Sequence, residues 1–381
     1  MSNKYTGDLP SYWRENKVGG VYKERTTKVS DRDFPPLSVT KKGIVPQLDT
    51  VAKTNDNDNR KLVKKNDFVI NSRSDRRGSC GISKYEGSVS LINTVLEPIN
   101  NEKFYNNYYD WLFHTENFAD EFYKWGHGIV DDLWTTRWLD MKNIEIPYPP
   151  LSEQKAIADF LDNKCAQIDE ITKDLENKIN KLEEYKSQII TEYAVNGTQL
   201  QNKEMTKLKF IASSFSKTLS LNELSDEYEY PVYGASGLLN VKSHFYECLT
   251  DYVGIVKDAA GIGHCYLCKG RTSVLGTMAY ILPNVDTDIR FLYYTLIGLN
   301  LANQTGDNTT IPHIYFSNYG NNKVLKLSLS EQKAIADFLD NKCAQIDEIT
   351  KATREEIETL KQYKQSLIYE YVTGKKEVPN E

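Results

Sequence analysis

From Ala156 onward, apolar residues recur at steps of three and four. A short set at Ala156, Ile157, Phe160 and Leu161 leads into a longer stripe of Ile168, Ile171, Leu175, Ile179, Leu182, Tyr185, Ile189 and Tyr193. This period predicts one face of a long helix, the seam of a coiled coil or helix pair. Pro147, Pro149 and Pro150 bar a helix upstream, Ser152 is the expected N-cap, and Gly197 is the expected stop. A helix from about residue 164 to 196 would be roughly 50 Å long. The stripe returns at an offset of 178 as Ile346, Ile349, Thr353, Ile357, Leu360, Tyr363, Leu367 and Tyr371, ending at Gly374. Residues Leu151–Lys173 and Leu329–Lys351 both read LSEQKAIADFLDNKCAQIDEITK, an identity over 23 residues. Thr353 stands where the first copy has Leu175, which weakens one seam layer; losing a buried leucine costs about 2–5 kcal/mol. Neither helix can bury its stripe alone. The expected solution is antiparallel packing of the two copies about a pseudo-two-fold axis.

The intervening stretches differ in sequence but share an order of features, and both have a β-rich reading. Asp67-Phe-Val-Ile-Asn-Ser-Arg is followed by Gly78-Ser-Cys-Gly, as Asp251-Tyr-Val-Gly-Ile-Val-Lys is by Gly261-Ile-Gly-His-Cys. Then come the strand candidates after Gly87 and Gly270, and the aromatic helix candidates Tyr105–Phe113 and Arg290–Leu299. The expected fold class is α+β: two β-rich domains related by pseudo-two-fold symmetry and separated by two long antiparallel helices. The boundaries read 1–150 and 198–328 for the β-rich domains, 151–197 and 329–376 for the helices, and 377–381 for a tail.

Composition narrows the class. The 381 residues are 40% hydrophobic and 26% charged, so folded domains are expected rather than disorder. The longest uncharged run, Phe291–Gly306, is too short and too polar to span a membrane. The first residues lack an apolar signal-peptide core, and six scattered cysteines make no disulfide framework, so a reducing cytoplasm is the expected location. The net charge of −6 argues mildly against a nucleic-acid binder. Its distribution argues the other way: Arg14–Tyr85 carries 17 basic and 9 acidic residues, whereas Glu86–Glu145 carries 4 and 11. A basic half-domain can be an electrostatic footprint.

Catalytic signatures are missing: no phosphate-binding P-loop, no nucleophile elbow, no H-E-x-x-H and no amino-methyltransferase tetrapeptide. His244, Cys248, Cys265 and Cys268 could in principle hold zinc. If 263–269 is a strand, however, Cys265 and Cys268 point to opposite faces and are expected as buried thiols. The basic and polar loops carry more information. In the first domain, Lys41, Lys42, Arg60, Lys61, Lys64, Lys65, Arg73, Arg76 and Arg77 are candidates for phosphates and guanine edges. In the second, Ser236, Lys242, His244, Lys257, Asn308, Thr309, Thr310 and His313 are candidates for base edges or backbone. Ordinary turn chemistry and solvated charge explain such residues equally well one at a time.

The duplicated segment resembles the conserved helical region of specificity (S) subunits of type I restriction–modification systems. The resemblance is carried by Pro149-Pro-Leu-Ser-Glu-Gln-Lys-Ala-Ile-Ala-Asp-Phe-Leu-Asp and Tyr185-Lys-Ser-Gln-Ile-Ile, and by Leu329-Ser-Glu-Gln-Lys through Tyr363-Lys-Gln-Ser-Leu-Ile. Tyr230-Pro-Val-Tyr-Gly-Ala-Ser-Gly, Val256-Lys-Asp-Ala-Ala-Gly-Ile-Gly and Thr310-Ile-Pro-His-Ile-Tyr-Phe are similar to a target-recognition domain of that family. The resemblance implies two such domains, each reading one half of a bipartite DNA target, on a helical spacer. It implies no catalysis and no cofactor in this chain. The expected partners are double-stranded DNA, two modification (M) subunits that use S-adenosylmethionine to methylate adenine N6, and restriction (R) subunits using ATP and magnesium. The rival expectation is a scaffold presenting two carbohydrate- or protein-binding β-domains, with no DNA role.

Overall fold

The computed structural model describes residues 5–47, 57–99, 104–128, 134–258, 260–304 and 313–379. The chain forms two compact units. One comprises Met1–Asp174 with Glu356–Glu381, the other Leu175–Glu355.

The first unit is built on a four-stranded antiparallel sheet in the spatial order Tyr22–Glu24, Asn93–Pro98, Phe68–Asn71, Cys80–Ile82. A three-stranded sheet (Lys28–Val29, Arg60–Val63, Gly87–Val89), the hairpin Leu37–Thr40/Gly43–Pro46 and the ribbon Arg14–Lys17/Glu145–Tyr148 complete its strands. Helices Asn106–Phe113 and Glu116–Lys124 cover the larger sheet. Their contact is an aromatic core: the Phe68 and Phe113 rings lie 4.8 Å apart, Phe113 and Phe118 4.4 Å, and Tyr22 and Phe104 5.4 Å. Thr115 caps the second helix by accepting from the Phe118 amide.

The second unit repeats that sheet order with Ala212–Ser216, Met278–Pro283, Tyr252–Val256 and Cys265–Cys268. Helix Ile289–Gly298 covers it, and a ribbon pairs Met205–Lys207 with Lys323–Leu325. A separate three-stranded sheet orders Gly237–Ser243, Tyr230–Gly234 and Ser273–Val274. The shared order of features in the sequence thus corresponds to a shared strand order.

Both long helices are longer than the stripe predicts. Leu151–Ile190 spans 40 residues and Leu329–Val372 spans 44, about 60 and 66 Å at 1.5 Å per residue. The first ends in a π-helical turn, Thr191–Asn196, closed by Gly197 in the left-handed region. Ser152 lies inside the helix, not at its cap, because the helix begins straight after Pro150, whose carbonyl accepts from the Gln154 amide. In the second copy Ser328 occupies the proline's place and shares a reciprocal cap with Glu331.

Within the first unit, Ile157, Ala158, Leu161, Cys165 and Ile168 from the start of one long helix pack with Leu367, Tyr371 and Val372 from the end of the other. The second unit packs Ile335, Ala336, Leu339 and Cys343 with Ile189, Ile190 and Ala194. In each unit the segments run antiparallel, as the cross-links show. Lys364 Nζ bonds Asp169 at 2.6 and 2.7 Å, and Lys186 Nζ bonds Asp347 at the same distances. The Phe160 ring lies 4.5 Å from Tyr371, and Phe338 lies 4.4 Å from Tyr193. Each such contact recurs at the offset of the sequence repeat.

The seam differs from the stripe at four places. Ile171, Tyr185, Ile349 and Tyr363 are 44–55% exposed. The covered positions run Ile168, Thr172, Leu175, Ile179, Leu182, Lys186, Ile189 in one helix and Ile346, Thr350, Thr353, Ile357, Leu360, Lys364, Leu367 in the other. These are alternating steps of four and three, the true heptad period. A threonine and a lysine stem therefore hold places that apolar neighbours one position away seemed to claim. Thr353 is buried as expected, and so is Thr350, whose hydroxyl has no hydrogen-bond partner.

A second duplicated device ties each long helix to its unit. The Gln154 amide nitrogen donates to the Pro149 carbonyl at 2.8 Å, and its oxygen accepts from the Tyr105 amide at 2.7 Å. Gln332 does the same with Leu327 and with Asp288, the N-cap of Ile289–Gly298. Both glutamines are buried. Leaving a buried donor or acceptor unpaired costs about 1–3 kcal/mol. Gln154→Ala is therefore expected to destabilise the first unit by roughly 2–4 kcal/mol and Gln332→Ala the second by a similar amount. Urea unfolding followed by limited proteolysis checks this; a loss below about 0.5 kcal/mol would refute the clamp.

Candidate nucleic-acid interface

The structure sorts the basic candidates of the first unit into committed and free. Arg60 is 5% exposed, with Nε donating to Ser88 Oγ at 2.8 Å and Nη2 to the Ser88 carbonyl at 3.1 Å. Burial lowers its pKa. Lys61 Nζ reaches Glu24 and the Asn93 carbonyl at 3.0 and 2.9 Å. Arg77 is held by Asp120 on the neighbouring helix. These three, expected at a ligand surface, hold the fold together instead. Arg60 and Lys61 lie within a strand paired on both sides; the neighbouring strand Gly87–Val89 supplies Ser88 to Arg60, and two strands of the four-stranded sheet supply Glu24 and Asn93 to Lys61.

Lys64 and Lys65 are exposed on the next turn. Asp67 builds that turn, accepting from the Lys64 amide at 2.8 Å and from Arg25 Nε at 2.7 Å. Reciprocal backbone bonds of 2.8 Å between Asn66 and Ser83 and between Ser83 and Asp67 bring the turn after Ile82 alongside. Exposed Lys84 therefore joins the pair. It was not among the sequence candidates, because nothing local marks it. Arg73 and Arg76 flank Asp75, at 3.3 and 3.8 Å, in the loop that leaves the central strand; Arg76 is 68% exposed along its side chain. Lys41 and Lys42 form the exposed tip of the hairpin Leu37–Pro46.

In the second unit, the Ile314 amide donates to the Lys257 carbonyl at 3.0 Å, so His313 comes to the end of the central strand beside Lys257. His313 stacks on Tyr315 with centroids 6.0 Å apart. Ser236 is exposed in the turn joining Tyr230–Gly234 to Gly237–Ser243. The Tyr266 hydroxyl donates to the adjacent Ala235 carbonyl at 2.8 Å, and Tyr266 in turn packs 4.8 Å from His264, a residue the sequence did not single out. Lys242 and His244 sit elsewhere: the Ser225 amide donates to the Lys242 carbonyl, and His244 meets Tyr228 edge-on at 5.5 Å. That neighbourhood carries Glu223, Asp226, Glu227 and Glu229, a poor surface for a polyanion. Asn308, Thr309 and Thr310 lie outside the described residues.

The cysteines form no centre. Cys265 packs in the core with Val253 and Ile255, Cys268 on the opposite face with Tyr252 and Cys248, while His244 is exposed. Burial pushes the Cys265 and Cys268 thiols up to about 12 and Cys248 to about 11. Among the described residues no group of three or more His, Cys, Asp or Glu side chains could hold a metal.

One titrating group steadies the first unit. His114 Nδ1 lies 2.7 Å from the Asp110 carbonyl and Nε2 lies 3.1 Å from the Cys80 carbonyl. Both ring nitrogens face acceptors, so the imidazolium satisfies both. Burial pulls the pKa down, but Cys80 and Asp110 outweigh it and push it up to about 10. A raised folded-state pKa means stability that is fully present below pH 6.5 and lost as pH rises through about 10. The gap in melting temperature between the parent and His114→Gln is therefore expected to shrink from pH 6 to pH 10. A gap independent of pH would show that His114 is neutral.

The family model of the type I restriction modification DNA specificity domain matches the chain twice, over residues 10–181 and 201–359. The chain belongs to the type I restriction–modification DNA specificity family. A solved chain from work on complex assembly and conformational transition of the type I R-M system is similar in fold, with a TM-score of 0.79 and 14% identity; the match covers 96% of this chain and 98% of that one. The HsdS subunit from Thermoanaerobacter tengcongensis is similar with a TM-score of 0.58 and 16% identity, over 96% of this chain and 98% of that one. No curated protein sequence matches significantly. Among the described residues no helix is long and apolar enough to cross a membrane.

Proposed function

We propose that this chain is the DNA-reading subunit of a type I restriction–modification complex. Each unit reads one half of a bipartite duplex target, and the long helices bridge two M subunits that methylate adenine N6. S-adenosylmethionine belongs to the M subunits, and ATP with magnesium to R subunits that add restriction; this chain binds neither. Adenine methylation requires the base to be flipped out of the duplex into the partner's pocket. In the first unit Lys41, Lys42, Lys64, Lys65 and Lys84 contact phosphates, and Arg73 and Arg76 reach base edges. In the second, Lys257, His313, Ser236 and His264 take those roles.

The observation that carries the bridging role is identity where packing does not ask for it. Lys155 and Lys333, Asn163 and Asn341, Gln167 and Gln345, and Glu170 and Glu348 are exposed, yet the two copies are identical at each. Buried residues must match to build equivalent seams; solvated ones need not. Two identical exposed faces suit two copies of one partner. The exposed Ile171/Tyr363 and Ile349/Tyr185 sets add apolar area beside them, one set per unit.

Glu170→Arg is expected to leave a complex with one M subunit, Glu348→Arg likewise, and the double variant none. Native mass spectrometry of the co-expressed proteins reads the stoichiometry directly. Two M subunits retained in the double variant would place the docking surface elsewhere.

A further inference from the structure

The turn of the hairpin Leu37–Pro46 is Lys41-Lys42, closed by Gly43 in the left-handed region at φ 104°. Thr40 locks the turn, its hydroxyl donating to the Gly43 carbonyl at 2.8 Å and accepting from the Lys42 amide at 3.1 Å. Leu37 and Ile44 anchor the hairpin among Val63, Val69, Val89 and Val95. Its base is pinned where the chain crosses Gly87: the Ser88 amide donates to the Pro35 carbonyl at 2.9 Å, and a Cβ on Gly87 would lie 2.4 Å from that oxygen.

The tip is pinned as well. Gly43 lies across the edge strand Cys80–Ile82 backbone to backbone, and a Cβ on Gly81 would stand 2.8 Å from the Gly43 Cα. Main chain cannot swing aside as a side chain can, so residue 81 must be glycine for the tip to sit there. The strand that receives it leads out of the Arg73–Arg77 loop. Lys41 and Lys42 are adjacent and exposed, and among the described residues they have no carboxylate partner, unlike Lys61 and Arg77 of the same unit. Two adjacent positive charges held on a rigid finger make a local positive potential that suits an anion with repeated charges.

We propose that this hairpin is a phosphate-gripping finger: Lys41 and Lys42 each contact the duplex backbone, and Gly81 is the positioning residue that seats the finger. The inference rests on the DNA-reading function proposed above. It adds a specific rigid element that presents the two lysines and a residue that acts without touching DNA.

The test is a salt series of duplex binding by the chain assembled with its M subunits. Losing two phosphate contacts lowers the slope of log K against log salt by about 1.8, roughly 0.9 per contact. The double variant Lys41→Ala/Lys42→Ala is expected to show that drop with an unchanged melting temperature. Gly81→Ala keeps both lysines and is expected to lose most of the same slope. A merely structural lesion would lower the active fraction and leave the slope intact, and that result overturns the role of Gly81. An unchanged slope in the lysine variant, with the parent binding normally, overturns the finger and leaves DNA reading standing. Salt-independent or absent binding by the parent complex overturns both.

Discussion

A long helix with one apolar stripe cannot bury that stripe by itself, and this constraint shapes both units. Each closes its core with the start of one long helix and the end of the other: Ile157 and Leu161 against Leu367 and Tyr371 in the first, Ile335 and Leu339 against Ile189 and Ile190 in the second. Residues about 210 positions apart in the first unit and about 150 apart in the second therefore belong to one hydrophobic cluster each. The first unit cannot be cut out as a continuous piece of chain without losing Leu367, Tyr371 and Val372 from its core, whereas the second is the continuous stretch Leu175–Glu355. The ion pairs Lys364–Asp169 and Lys186–Asp347 are exposed and contribute little energy alone. Their value is register, since a slip of either helix would break both geometries.

The duplication was legible because a coiled-coil period and a 23-residue identity need no tertiary information. The seam's details were not. Steps of three and four can be chosen in two ways around Ile168, and only the facing helix decides that Thr172 rather than Ile171 is covered. Apolar character pulled the reading toward isoleucine and tyrosine. The geometry gave those places to a threonine and to the stem of a lysine. The exposed isoleucines and tyrosines are then free for a partner, a role that a sequence stripe hides by absorbing them into the core.

The basic residues show the same limit. Arg60 and Lys64 stand four positions apart in one basic run, yet Arg60 is spent on Ser88 and Lys64 faces solvent. What separates them is the neighbouring strand Gly87–Val89, remote in sequence. Lys84 and His264 escaped notice because their grouping depends on which turns the sheets bring together. The Gly43–Gly81 crossing joins residues with no local signal beyond being glycine. Conversely, the expectation that Cys265 and Cys268 point apart needed only strand alternation, and the two thiols do lie in different clusters.

Under the proposed function, one chain carries two readers and directs a partner's chemistry to a two-part DNA sequence. Single-molecule sequencing of host DNA for N6-methyladenine, with the gene present and deleted beside an expressed M subunit, tests it most directly. A motif in two parts, with a fixed spacer and a methylated adenine in each half, should be present with the gene and vanish without it. A motif in one part, or methylation unaffected by the deletion, would contradict the account.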